Sequence, residues 1–479
     1  MATDFTRYQP PGVYTEAVPG PQLSVQSQTP TAVGIFGISV GYRTDTESMV
    51  VDPDIDPTTP AKNRTLRQAG IRQDTIVVSN ANSGQVWQID VDYTINRVSQ
   101  GADAQAGTRD DLYSIVRVID GGHIQPGDTV EVSYSYVNSD YFKAYSFYDY
   151  DDVRDAYGTP FSANGSIQSE LTLAAKFAFQ NGASRVICVA VDPLDPVAPT
   201  LADYDDALAK LKDEPDISLI VPATGIQAVH TSVVTHINQQ SKNRYERRAI
   251  VARDGSAAAV SSAQRIADAQ TMRNSRIAMV SPATFKYFAP ELNRSIVIGG
   301  QYAAAALAGI SVSQTPAQPL TRRKVVGFED VAETVQDPQK DLESQSGLAV
   351  IEKTRSGEVR VRHGVTTNPQ DTLTREWSVV GQEDAMVFRL REYLDNDRLI
   401  GSIITDMTTV NVKSSVAGAL ASLIQDGVIR NYSELKIRQL EQQPDILEVR
   451  FQWLAALPLN YIVVRYSLNV TSGEVSTAL

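Results

Sequence analysis

Arg185-Val186-Ile187-Cys188-Val189-Ala190-Val191 carries six apolar residues in a row after its arginine. It lacks the in-out alternation of a strand with one face in water, so it reads as a strand covered on both faces. Working outward, a helix is expected over about 167–180, with Leu171, Ala174, Ala175 and Ala178 on one face, ending at Asn181-Gly182. After the strand, Leu201, Tyr204, Leu208 and Leu211 share a second helical face. Buried strands are then expected at 217–221, 249–252 and 277–280. Helices lie between them, one carrying Ile226, Val229, Val233 and Ile237 and another near 258–270. Apolar strands alternating with amphipathic helices imply a mainly parallel sheet with helices on both sides. An earlier run, 31–40 (TAVGIFGISV), is of the same buried-strand type.

The segments between and around this unit differ in rhythm. Residues 1–30 hold Pro10, Pro11, Pro19, Pro21 and Pro30, which prevent continuous helix and interrupt a sheet ladder. Between them, 12–18 (GVYTEAV) is a short β-type segment that cannot bury itself. It is a frayed end or a strand that completes another chain's sheet. Residues 45–62, with Pro53, Pro57 and Pro60 among Asp and Thr, read as an irregular loop. Runs at 75–79, 85–94, 112–119 and 129–137 are separated by turn signals such as Gly121-Gly122 and Pro126-Gly127-Asp128. That spacing suggests an inserted all-β module. The uncharged stretch 295–320 contains Gln301, Gln314 and Gln318 and is broken by Pro316 and Pro319, so a buried helix is expected rather than a membrane span. In the last third, helices are expected at about 384–396 and 411–426. Alternation then marks two half-buried strands, 447–453 and 462–470, joined by the loop 455–460 as an antiparallel pair.

Hydrophobic residues at 42% and charged residues at 21% exclude a wholly disordered chain or a coiled coil. With 56 acids against 43 bases the formal charge is −13, which argues against binding a phosphate backbone. The single cysteine, Cys188, cannot form an internal disulfide and is expected as a buried, inert thiol. The N-terminus shows no basic segment followed by an apolar core, so no secretory signal is expected, and a soluble cytosolic protein is.

Catalytic chemistry finds little support. The expected strand ends carry no G-x-G-x-x-G and no phosphate loop. Asp192 and Asp254 lie at two such ends, where they could together hold a metal or serve an α/β hydrolase-type enzyme, but acids also cap helices and start turns, which is the favoured reading. His230 and His236 are six apart on one helix, so they point to different faces, and His123 follows a glycine turn. His363-Gly364-Val365-Thr366 faintly suggests a serine protease, yet the serine turn and orienting aspartate of a triad do not accompany it. No cofactor or metal is expected.

In order along the chain, several segments resemble the contractile tail sheath proteins of bacteriophages and related injection machines. Pro11-Gly12-Val13-Tyr14 followed by Glu16 looks like the family's N-terminal arm. Thr31-Ala32-Val33-Gly34-Ile35-Phe36-Gly37 looks like its first core strand. Phe179-Gln180-Asn181-Gly182-Ala183, running into the quoted strand, is similar to its helix end. The resemblance implies an α/β multidomain fold. Its core would be doubly wound and subtilisin-like without a catalytic triad (31–45 and 146–365). It would carry an inserted all-β surface module (46–145) and an α+β C-terminal domain (366–479) completed by strands from neighbouring protomers. It implies a non-enzymatic subunit that polymerises helically around an inner tube. Contraction of that polymer would drive the tube through a bacterial envelope for genome ejection, in a phage or in a non-viral injection system. The arms would be residues 1–30, through Val13, Tyr14, Glu16 and Val18, and the C-terminal strand, through Ile462, Val464, Tyr466, Leu468 and Val470. On the helix at 411–426, Lys413, Ala417 and Ala421 would face the tube. Partners would be further copies in a helical stack of six-fold rings, the inner tail tube protein, and baseplate and tail terminator proteins. Neither nucleic acid nor membrane would be a direct partner. The sheath would be part of the virion, assembled in the host cytoplasm.

Overall fold

A computed structural model describes residues 31–39, 42–51, 65–99, 111–137, 142–191, 199–333, 335–395, 399–468 and 475–476. Its centre is an eight-stranded sheet. β1 (Ala32–Ile38) is flanked on one side by β8 (Val186–Val191) and β7 (Tyr145–Phe147). On the other side follow β9 (Ile217–Pro222), β10 (Arg248–Ala252), β11 (Ile277–Ser281), β15 (Leu348–Lys353) and β16 (Val359–Val361). The six inner strands run parallel, and β7 and β16 close the two edges antiparallel. The chain leaves β1 toward β8 and then crosses back to β9, so the winding reverses at β1. Every residue of β8 is buried, which is why its sequence shows no alternation.

Helices cover both faces. α1 (Tyr150–Tyr157), α2 (Glu170–Gln180) and α6 (Gly300–Val312) pack against Val33, Ile35 and Cys188 on one side. On the other, α3 (Leu201–Lys210), α4 (Gln227–Lys242) and α5 (Ser262–Met272) pack against Phe36, Ile187 and Val189. α6 is buried on nearly all sides. It begins at Gly300, because 295–299, expected as helix, belong to the strand β13 (Arg294–Gly299). That strand pairs with β12 (Thr284–Ala289), which also pairs β14 (Asp330–Val331). A Cβ on Gly309 would sit 2.2 Å from the Ala178 carbonyl oxygen, so α2 and α6 cross at a distance only glycine permits. Asn181, in the motif singled out from sequence, ties this crossing down. Its Nδ2 donates to the carbonyls of Phe177 (2.9 Å) and Val326 (3.0 Å), and its Oδ1 accepts from the Val326 N–H (2.9 Å). α7 (Asp337–Gln345) packs on β15, and its fully buried Glu343 accepts from Arg265 Nη2 of α5 and Ser281 Oγ of β11.

Between β1 and β7 the chain builds a separate β unit. β2 (Tyr42–Val50), β6 (Thr129–Val137) and β3 (Val77–Asn80) form one sheet, with β4 (Tyr93–Ser99) and β5 (Leu112–Arg117) as a second pair. A cluster including Leu66, Val78, Trp87, Ile124 and Tyr134 fills the space between them. Two expectations need correction. Residues 45–50, read as loop, are strand, because β2 pairs β6 over its whole length; 52–64 lie outside the described residues. The run 85–94 becomes strand only from Tyr93, since Asp90 takes φ +63° and the Asp92 carboxylate gathers the N–H groups of Gln88 and His123 into turns.

The C-terminal part holds α8 (Trp377–Leu394), α9 (Asp406–Gln425) and a hairpin of β17 (Ile429–Leu440) and β18 (Gln443–Ala455). Its core joins Ala385, Met386, Val416, Leu420 and Leu423 to Ile429. α8 starts seven residues before the expected 384. Its first turns are buried all round, so they carry no amphipathic signature.

Candidate assembly surfaces

The hairpin is the element with the most open hydrogen-bonding capacity. β17 and β18 run antiparallel from Ile429↔Ala455 to the Glu441-Gln442 turn. The register slips at three places, one beside Glu434, which takes φ +56°. One face packs on α9 through Tyr432, Leu435, Val449, Phe451 and Trp453. Among the described residues neither outer edge carries a third strand. Such an edge presents a row of unpaired N–H and C=O groups.

This pairing corrects the expected hairpin. The partner of 447–453 is β17, not 462–470. After β18 the chain turns back across the start of α8, where Ala456 exchanges both backbone groups with Gln382 (2.8 and 3.0 Å). Asn460 Nδ2 donates to Glu376 Oε1 (3.0 Å). Residues 461–466 form no strand in the protomer. Ile462, Val464 and Tyr466 stand 77%, 71% and 75% exposed, with Tyr461 and Val463 equally open. Leu468 lies in β19 (Ser467–Leu468), which pairs β20 (Val475–Ser476). Val13, Tyr14, Glu16, Val18 and Val470 lie outside the described residues.

On α9, Thr405 caps the N-terminus by accepting from the Thr408 N–H at 3.2 Å. Val416, Leu420 and Leu423 turn inward. Lys413 and Ala421 are exposed and Ala417 is half-buried, so the three lie toward the outer side, beside Ser414, Gly418 and Gln425. Sequence reasoning missed the apolar start of this surface, where Ile400, Ile403, Met407 and Val410 are 60–83% exposed.

The ends of the parallel strands hold polar groups of a structural kind. Asp254 accepts from the N–H (2.8 Å) and Oγ (2.6 Å) of Ser256 and from Gln301 Nε2 (2.9 Å); Asp192 lies outside the described residues. Burial, helped by the charge of Asp254, pushes the Glu170 carboxyl up to about 8. Burial pushes both His230 and His236 down to about 4; His230 Nε2 donates to the Thr224 carbonyl at 3.1 Å, and His236 accepts from Arg247. His123 is exposed, with its Nδ1 2.7 Å from the Asp92 carboxylate. His363 meets Glu376 and Asn460, and among the described residues no serine hydroxyl bonds to it. Cys188 is fully buried, and burial pushes its thiol up. Among the described residues no group of three or more His, Cys, Asp or Glu could hold a metal, and no helix is long and apolar enough to cross a membrane.

Comparison with known proteins adds the family. Residues 198–367 match the phage tail sheath protein central domain. The tail sheath protein of Mycobacterium phage Bxz1 is 43% identical across 100% of this chain and 99% of that one. The tail sheath protein of Bacillus phage SP01 is 26% identical across 58% of this chain and 48% of that one. Among solved structures, the contracted helical sheath of the anti-feeding prophage shares the fold with a TM-score of 0.55. It is 12% identical and covers 97% of this chain and 100% of that chain. The contracted sheath complex of the extracellular contractile injection system PVC gives 0.53 at 14% identity, covering 70% and 88%.

Proposed function

The chain belongs to the phage tail sheath proteins, and from that premise we propose that it polymerises helically around an inner tail tube and contracts to drive the tube through a bacterial envelope. It is a structural protein and not an enzyme. The observation that carries the assembly reading is the hairpin β17–β18, whose two edges carry no partner strand among the described residues. A two-stranded sheet is marginal alone, so strands from neighbours would complete it.

In this reading residues 12–18 of one protomer and 462–470 of another supply the missing strands. A head-to-tail contact that does not close on itself generates a helix. Each link would combine four to six main-chain hydrogen bonds at about 1 kcal/mol apiece with buried Ile, Val and Tyr surface. Contraction is then a cooperative passage between two packings of one lattice, with the energy stored in the extended assembly. The protomer divides into terminal arms, an α/β body of 31–45 and 146–365, an outward β module of 46–145 and the C-terminal unit of 366–479. The body would be subtilisin-like in winding, without the triad. The outer side of α9 faces the tube. Baseplate and terminator proteins would close the two ends of a stack of six-fold rings, assembled in the host cytoplasm and carried in the virion.

Negative-stain microscopy of the purified protein tests this directly. The full chain is expected to form tubes, and removal of residues 1–20 to leave a folded protomer that forms none. Tubes of normal length from the truncated chain would overturn the arm assignment.

A further inference from the structure

A cavity of about 200 Å³ lies between the α/β body and α8, at the end of the sheet where its parallel strands begin. That is smaller than the roughly 300–1,000 Å³ of a small-molecule pocket, and room for a few side chains. Its wall joins Thr31, the first described residue, to Ala385 and Phe388 of α8 and to Gln314 just after α6. Three of its charged residues are held in ion pairs. Arg248 faces Asp384 at 3.4 Å, and Arg391 holds Glu246 at 2.5 Å while donating to the Arg244 carbonyl. One group is left over: Gln314 Oε1 is buried with no hydrogen-bond donor among the described residues.

We propose that this cavity seats residues 23–30 of the same protomer, fixing the root of the N-terminal arm between the body and α8. The chain arrives at the cavity wall through Thr31, so residues 23–30 reach every part of it within their span of about 26 Å. The segment, Leu23-Ser24-Val25-Gln26-Ser27-Gln28-Thr29-Pro30, carries no charge, in keeping with a wall in which Arg248, Asp384 and Glu246 already have ionic partners. Val25 or Leu23 fills the apolar side against Ala385 and Phe388. Pro30 has no N–H, so the donor for Gln314 Oε1 comes from Thr29 or a residue before it. A root held there transmits a pull on the arm to the joint between the two units.

The test uses the unpolymerised full chain, so it stands or falls apart from the polymer reading. Cys188 is fully buried and leaves the background clean. In the Val25→Cys/Phe388→Cys double variant, mild oxidation is expected to close an intrachain disulfide, seen as an unshifted monomer band and a linked peptide by mass spectrometry. It should form at least tenfold faster than in the control Val25→Cys/Ile226→Cys, whose second site is exposed at the opposite ends of the strands. Equal rates, or linkage mainly between chains, would overturn the proposal. Should Phe388→Cys fail to fold, hydrogen exchange of the unmodified protomer decides: amides of 23–29 slowed at least tenfold relative to 2–9 support it, and equally fast exchange refutes it.

Discussion

Ile462 and Val464 are two residues apart and therefore share a face once the segment pairs as a strand. In the protomer they stand 77% and 71% exposed, so nothing in the folded chain depends on their apolar surface. The double variant Ile462→Asp/Val464→Asp should leave the thermal midpoint of the protomer unchanged, since exposed substitutions away from special features shift stability within about 0.5 kcal/mol. Exchange of this segment into a neighbour's sheet, as proposed, would alter the outcome. Burying an Ile or Val side chain contributes about 1.5–3 kcal/mol, so the two positions account for at least about 3 kcal/mol of each link. At roughly 1.4 kcal/mol per decade, the critical concentration for polymer should rise about 100-fold or more. Pelleting of polymer over a concentration series, checked by microscopy, reads this number. Val463→Asp, from the opposite face at 78% exposure, is the control and should shift it far less. A critical concentration within threefold of the parent would refute the exchange of this segment. Equal losses from the double variant and the control would refute its facing.

Three further outcomes are expected. Glu170 holds its proton to about pH 8 in the fold, against about 4.3 in an unfolded chain. The folded state therefore binds more protons between those values, and stability falls as pH rises through that window. Glu170→Gln should match the parent near pH 4 and exceed it by a few kcal/mol at pH 9, read by denaturant titration. Glu343→Gln should cost about 3 kcal/mol and lower the thermal midpoint. The fully buried Arg265 then keeps only Glu333 as its anionic partner, and Ser281 Oγ loses its carboxylate acceptor. Lys413→Glu should weaken the extended sheath on its tube while leaving tube-free contracted polymer intact. Loss of the extended form alone, counted by microscopy, is the supporting result, and equal abundance of both forms in mutant and parent excludes α9 as the tube-facing element.

The sequence was most legible where burial is most complete. β1, β8, β9, β10 and β11 announce themselves because strands covered on both faces read as near-continuous apolar runs. Where burial is partial the signal fades. β17 reads Ile-Arg-Asn-Tyr-Ser-Glu-Leu-Lys-Ile-Arg-Gln-Leu, and its bulges break the period of two, so its apolar residues fall at uneven intervals. The run 461–466, richer in Ile and Val, mimics the missing partner strand, yet in the protomer it has no sheet to join. Thus the expected strand went to the segment with the better propensity, while the pairing went to the one joined to β18 by a two-residue turn. The charged clamps on α8 were invisible for another reason: their partners lie more than a hundred residues away in sequence.

Those clamps bear on how force would pass through the protomer. Arg248 stacks over Trp377 at 4.4 Å and faces Asp384, which also takes Arg276 at 2.6 Å; Arg391 reaches Glu246. Burial lowers the Arg248 guanidinium to about 10, still fully charged at neutral pH, while Asp384, which burial raises, keeps two cations beside it. Trp377 Nε1 adds a bond to Ser311 Oγ at 3.0 Å, at the end of α6. Farther along α8, Arg389 reaches Asp426 just after α9. Removing one partner of such a buried set leaves an unpaired charge and costs several kcal/mol, so sliding α8 along the sheet is expensive. Among the described residues the hairpin has no comparable anchor. It rests on a small apolar cluster and on the bonds of Ala456 and Asn460. In the proposed assembly, a pull by a neighbouring protomer on the hairpin would be delivered through α8 to the α/β body as a whole. Bending would concentrate in the strap after Ala455, which would suit the proposed lattice of subunits turning as rigid bodies while strand links persist.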